Sequence, residues 1–242
     1  NCDDTSEQFM TNSALALEGK LDLVEAAARY RRVLASTDAA TSDHRDAQFR
    51  LAAVLAEVHQ YAQAEEVLHA ILARGDLSPS DRIEGLARLG YCALETRDFA
   101  RAETALGAAL AYHRRVQGTH TLDNTYFLGM SQYYLGASAH RQFAAVPLRL
   151  PEAQLGKDIQ QKGELVLLAR DRYVKTVEYK VPYWATAAVY QIGAMYQQFW
   201  DEFMAVPVPP ELNTEEAEAY VELVNKSTEI RSLLEQSALY HR

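Results

Sequence analysis

The sequence predicts an all-α fold, a solenoid of stacked antiparallel helix pairs, and three observations predict it. Small and apolar residues recur at a stride of 38: Ala26, Ala64 and Ala102 are each followed four residues on by Tyr30, Leu68 or Leu106 and preceded twelve residues back by Ala14, Ala52 or Gly90. Self-similarity at such a period marks a repeat array, because one helix pair cannot bury its apolar face alone and must stack on a neighbour. Within each stride the apolar residues keep helical spacing, and no segment sustains the period-two alternation of a strand.

The elements follow in order. The first unit carries Met10, Ser13 and Ala14, then Leu23, Ala26, Tyr30, Val33 and Leu34. It is the least regular, as terminal repeats are. The second carries Leu51, Ala52 and Leu55, a turn at His59-Gln60-Tyr61, then Ala64, Val67, Leu68, Ile71 and Leu72. The third carries Leu86, Leu89 and Gly90, then Phe99, Ala102, Leu106, Ala109 and Leu110. Closely crossing helices need a nearly bare backbone, so Ala14, Ala52 and Gly90 are expected to face Ala26, Ala64 and Ala102. In the second half, Tyr126-Phe-Leu-Gly129 leads to Phe143 and Pro147–Pro151, and Tyr190-Gln-Ile-Gly193 leads to Phe203 and Pro207–Pro210. Long helices are expected over 158–179 and 214–240. Residues 1–118 thus read as three repeats, and 119–242 as duplicated long-helix units with proline elbows at 147–151 and 207–210. Six of the seven prolines lie beyond residue 140, as the elbows require. Ten to twelve helices are expected in all.

Leu89-Gly90, Phe99-x-x-Ala102, Leu106 and Ala109-Leu110 resemble the tetratricopeptide repeat, over roughly residues 5–115. The resemblance implies a right-handed α-solenoid that binds a protein or peptide segment on its concave face. The usual repeat has about 34 residues; four more add about one helical turn. The stretch from Lys180 to Tyr196, with Phe199 and the Pro207–Pro210 elbow, is similar to tetratricopeptide proteins of myxobacterial cell envelopes, including a gliding-motility lipoprotein. That likeness implies a periplasmic or cell-envelope location, with the cytoplasm as the alternative, and a lipid anchor through Cys2. Asn1 precedes Cys2 and is a poor residue before a lipoprotein cleavage site, so a free Cys2 and a Cys2–Cys92 disulfide stay open.

Composition narrows the function classes. Hydrophobic residues make up 48% and charged residues 24%, which fits a folded chain. No run of eighteen apolar residues exists, so no transmembrane helix is expected. Net charge is −9, and Val181–Asn225 holds seven acids without a Lys or Arg, which would repel a phosphate backbone. Nucleic acid is therefore not expected as a partner. The chain starts at Asn1 without a methionine or a signal peptide, as when a natural or an artificial cut has removed the start. Leu233, Leu234, Ala238 and Leu239 look too apolar for a capping helix, so a further helix or repeat beyond Arg242, or a partner covering this face, is expected, with inward packing against the Trp184–Phe203 helix as the alternative.

No HExxH, CxxC or glycine-rich phosphate loop occurs, and the seven histidines have no ligand spacing. No enzyme activity, metal or cofactor is expected. The aromatic residues between Tyr173 and Phe203 keep helical spacing and are expected to pack between long helices. First helices should line the groove. There Arg50 and Arg88 lie 38 apart, with Phe49 before the first and Tyr91 three beyond the second. Guanidinium forks beside aromatic rings suit a carboxylate-bearing segment, so Phe49, Arg50, Arg88 and Tyr91 are the candidate peptide-binding residues. The Lys and Asn clamp of chaperone-binding tetratricopeptide proteins is absent. The reading is a non-catalytic interaction scaffold, with a ligand or enzymatic pocket in the aromatic half, or an oligomerisation module, as alternatives.

Overall fold

The structure, a computed structural model, describes residues 7–122 and 125–206. The chain divides into two compact units, residues 1–131 and 132–242. Nine α-helices and no strand occur among the described residues. Cys2, the Pro207–Pro210 elbow, the expected helix over 214–240, most of the acidic stretch and the apolar C-terminal residues lie outside the described residues.

The first unit holds three helix pairs. They are α1 (Glu7–Gly19) with α2 (Leu23–Ser36), α3 (Ser42–Glu57) with α4 (Tyr61–Leu72), and α5 (Pro79–Glu95) with α6 (Phe99–Val116). Each helix packs on the next in the chain, and α3 also touches α5, so first helices of successive pairs meet. The small residues are where the stride places them: Ala14, Ala26, Ala52, Ala64 and Ala102 are buried. Gly90 is the tightest crossing, since a Cβ built there would lie 2.5 Å from Leu106 Cγ. Tyr30, Val33, Leu55, Leu68 and Ile71 fill the space between pairs.

The turn inside each pair is one device used three times. Leu21, His59 and Arg97, again 38 apart, take φ of 62°, 61° and 62°. The next residue's N–H reaches back to close the helix: Asp22 to the Leu17 carbonyl at 2.9 Å, Gln60 to Leu55 at 2.8 Å, Asp98 to Ala93 at 2.9 Å. With the companion bonds from Leu21 to Glu18, His59 to Ala56 and Arg97 to Leu94, these are Schellman closures built without glycine. Asp22 and Asp98 then cap the second helix by accepting from Glu25 N–H and Arg101 N–H. Gln60, at the same position, makes no side-chain cap. Between pairs, Ser78 and Asp81 form a reciprocal capping box with Pro79 in the first turn.

α7 (Tyr126–Ala145) runs across the division, which falls between Ser131 and Gln132. The second unit continues with α8 (Glu152–Val177) and α9 (Pro182–Met204). α7 and α8 approach at Gly136, where a Cβ would meet the Tyr173 ring at 2.6 Å. Gln132 donates to the Arg172 carbonyl at 3.0 Å, and Arg172 to the Leu135 carbonyl at 2.9 Å. α8 starts six residues before the expected Asp158, because Pro151 ends the elbow and serves as its N-cap. Asp158 instead lies inside the helix, buried, and ties the elbow down: it accepts from Arg149 N at 3.1 Å, Nε at 3.0 Å and Nη2 at 2.8 Å. These bonds hold its carboxyl down at about 2.

Lys162 of α8 is fully buried. Its ammonium donates to the Phe143 carbonyl at 2.9 Å and to Glu202 Oε2 at 2.5 Å, and lies 4.1 Å from the Phe143 ring centroid. One side chain thus joins α7, α8 and α9. The aromatic expectation is corrected in part. Tyr173, Trp184, Tyr196 and Phe199 are buried, with Trp184 5.1 Å from Tyr133 and Phe199 5.6 Å from Phe143. Tyr183 and Tyr190 are exposed, at 65% and 62%. The buried line on α9 is Trp184, Ala188, Ile192, Met195 and Phe199, and Tyr183 and Tyr190 fall outside it.

Candidate functional site

The four candidate residues sit on α3 and α5, and the structure gives them different surroundings. Phe49 is buried at 7% exposure and belongs to the core of the first unit, with Ala52 and Ala56 one and two turns on. It fills space between helices and offers no ring to the surface. Arg50 is exposed, and its Nη1 lies 3.3 Å from Glu18 Oε2 of α1. Glu18 also accepts from the Tyr30 hydroxyl at 2.7 Å, so the first two pairs share one carboxylate.

Arg88 is half-buried. Its Nε donates to Glu84 Oε1 one turn earlier at 2.7 Å, and its guanidinium carbon stands 5.2 Å from the Phe127 ring centroid. Burial raises the Glu84 carboxyl against the opposing pull of Arg88. Tyr91 is half-buried, edge-on to Tyr61 at 6.4 Å, and burial raises its phenol. Tyr61 in turn meets His59 Nδ1 at 2.7 Å. Cys92 beside it is a free, buried thiol, pushed up to about 12 chiefly by burial. It behaves as a packed residue, and no disulfide involves it.

Sequence reasoning missed Glu18, Glu84, Tyr61 and Phe127. Glu18 and Arg50 are 32 residues apart, off the stride, so periodicity does not pair them. Glu84 and Arg88 do carry a signal, opposite charges one helical turn apart. The surroundings are mixed: Arg50 is held by Glu18, Arg88 by Glu84, and Tyr91 lies edge-on to Tyr61. A segment bearing carboxylates would have to share these guanidiniums with Glu18 and Glu84.

In the second unit, a cleft of about 320 Å³ is lined by Ala144, Val146, Pro147, Leu148, Glu202, Ala205 and Val206. Neither Tyr190 nor Trp200 lines it. Its one charged group, Glu202, is engaged by Lys162 and by Gln198 Nε2 at 2.7 Å. Among the described residues no group of three His, Cys, Asp or Glu could hold a metal ion, and no helix is long and apolar enough to cross a membrane.

The fold has solved counterparts. The kinesin-light-chain-like protein of Podosopora anserina, whose TPR-like repeats are nearly identical to one another, superposes with a TM-score of 0.53 at 16% identity, over 100% of this chain and 97% of that one. A single-substitution variant of that protein gives 0.51 at 16% identity, over 96% of this chain and 97% of its own. At this identity the likeness establishes the fold alone, an all-α stack of TPR-type repeats. No known family profile matches the chain, and no curated protein sequence does. The likeness to myxobacterial envelope lipoproteins has no support among them.

Proposed function

We propose that this protein is a non-catalytic scaffold that binds a segment of a partner protein across the first helices of its repeats. The observation that carries the reading is that α3 and α5 touch, and that each carries a guanidinium at the same place in the repeat, Arg50 exposed and Arg88 half-buried, with Tyr91 one turn beyond the second. Arg88 and Tyr91 are already ordered by Glu84, Phe127 and Tyr61, which lowers the entropic cost of engaging a ligand. Phe49 takes no part, since it is core.

The test is affinity capture from the source organism with the full chain as bait, followed by mass spectrometry. Partners captured by the parent chain and lost with Arg50→Ala/Arg88→Ala, at low salt and with unchanged helicity, support the reading. Equal capture by the double variant moves the binding surface elsewhere. An envelope assembly as the setting, with lipid on Cys2, rests on the resemblance of residues 180–210 alone. Fatty-acid labelling of the chain in its source organism tests it, and absence of label at Cys2 removes the anchor.

A further inference from the structure

We infer that the third helix pair carries a second docking surface, for an Asp- and Glu-rich polypeptide segment, built on Arg82, Tyr112, Arg114 and Arg115. It is independent of Arg50 and Arg88. The Tyr112 ring has the Arg115 guanidinium carbon 5.0 Å from its centroid and that of Arg82 5.8 Å away. A guanidinium held against a ring keeps its edge N–H groups free to form a planar fork. Arg82 is fixed further by donating to the Arg74 carbonyl at 3.3 Å. Arg114 and Arg115 are exposed.

Arg29, Arg45, Arg50, Arg74, Arg88 and Arg101 of the first unit each have a carboxylate within ion-pair distance. Among the described residues Arg82, Arg114 and Arg115 have none, and neither do Arg31, Arg32 and Arg97. What sets Arg82, Arg114 and Arg115 apart is that two of them meet at one tyrosine ring beside the third. The acids nearest in sequence to Arg82 are committed: Asp81 to Arg45 at 3.3 Å and to the Ser78 N–H, Glu84 to Arg88 at 2.7 Å, and Asp76 to Arg74 at 2.8 Å. The stretch Thr104–Leu122 contains no acid at all, in a chain of net charge −9.

The helix dipole accounts for part of this and not the rest. Arg114 and Arg115 lie in the last turn of α6, where a cation is favoured. Arg82 is the fourth residue of α5, close to the positive end of that helix, where a cation is disfavoured. It is nevertheless brought to the same tyrosine. The arrangement concentrates unneutralised positive charge on an ordered aromatic platform, which matches carboxylates spaced along a chain. The net negative charge of the chain opposes any polyanion, so binding here depends on the local cluster of arginines, and an oligonucleotide is the direct comparison for the peptide.

The test is fluorescence polarisation with the full chain and a labelled hexaglutamate peptide at low ionic strength. Hexaglutamate should bind, hexalysine should not, and added salt should weaken binding. Arg114→Ala/Arg115→Ala should reduce affinity about tenfold or more, with loss of charge-assisted bonds. Arg82→Ala should weaken it further. Arg31→Ala/Arg32→Ala, an arginine pair on α2, should leave binding unchanged. The inference is overturned if hexaglutamate does not bind, or if the 114/115 variant binds equally well. It is also overturned if a single-stranded oligonucleotide binds the same residues more tightly than the peptide.

Discussion

Gly90 of α5 and Leu106 of α6 cross so closely that a single added methyl group would sit 2.5 Å from Leu106 Cγ and 3.1 Å from its backbone nitrogen. The equivalent positions in the first two repeats are Ala14 and Ala52, so the third pair is the most tightly closed of the three. A Leu side chain can shift, but the backbone nitrogen behind it cannot without separating the helices. Gly90→Ala is therefore expected to destabilise by roughly 1–3 kcal/mol despite its better helix propensity. Urea denaturation measures it; a midpoint at or above that of the parent chain would show that the helices can part freely.

Gln60 stands where Asp22 and Asp98 cap their helices, and it makes no cap. Gln60→Asp is expected to stabilise by about 0.5–1 kcal/mol, by satisfying an N–H in the first turn of α4 and placing negative charge at its positive end. A thermal melt that does not rise would mean the backbone there, unlike at 22 and 98, cannot present the carboxylate.

Lys162 and Glu202 should show strong coupling. Lys162→Met leaves the Glu202 carboxylate with Gln198 alone and should cost roughly 3 kcal/mol, the lower end for a broken buried pair because Glu202 is 32% exposed. Lys162→Met/Glu202→Leu should recover most of that loss. A double variant as unstable as the sum of the two singles would mean that packing around Phe143, not charge, sets the cost.

His140 makes the second unit sensitive to acid. Its ring nitrogens lie 3.4 Å from the Tyr173 hydroxyl and 3.4 Å from Gln198 Oε1, and burial lowers its pKa from 6.5. The unfolded chain therefore takes up the proton first. The contribution to stability is complete above about pH 6.5 and is lost as pH falls through the lowered folded value. Melting temperature should fall from about pH 7 to pH 5, and His140→Gln should flatten that slope. An unchanged slope in the variant would place the sensitivity on other groups.

The stride made the first unit legible because each repeat must bury the same positions, and so the burial of Ala14, Ala52, Gly90, Ala26, Ala64 and Ala102 could be read directly, although Gly90 meets Leu106 most closely and not the expected Ala102. The candidate site was less legible. Phe49 looked like a groove residue only because it adjoins Arg50. A first helix in a stack packs against its own partner and against the next pair, so more of its circumference is buried than one amphipathic stripe shows. Glu18 could not be found, since it meets Arg50 through stacking rather than through spacing. The left-handed turn at Leu21, His59 and Arg97 was invisible because its usual marker, glycine, is missing. On α9 the period was right and the phase was not, which put Tyr183 and Tyr190 outside when packing was expected.

Those three turns are closed by main-chain bonds, and the side chain at the bend contributes nothing to the closure. Each repeat can therefore write a different letter at the same place: leucine at 21, histidine at 59, arginine at 97, all exposed. The scaffold keeps its grammar while the exposed vocabulary changes, so chemical identity along this edge is free to diverge without touching the core beneath it.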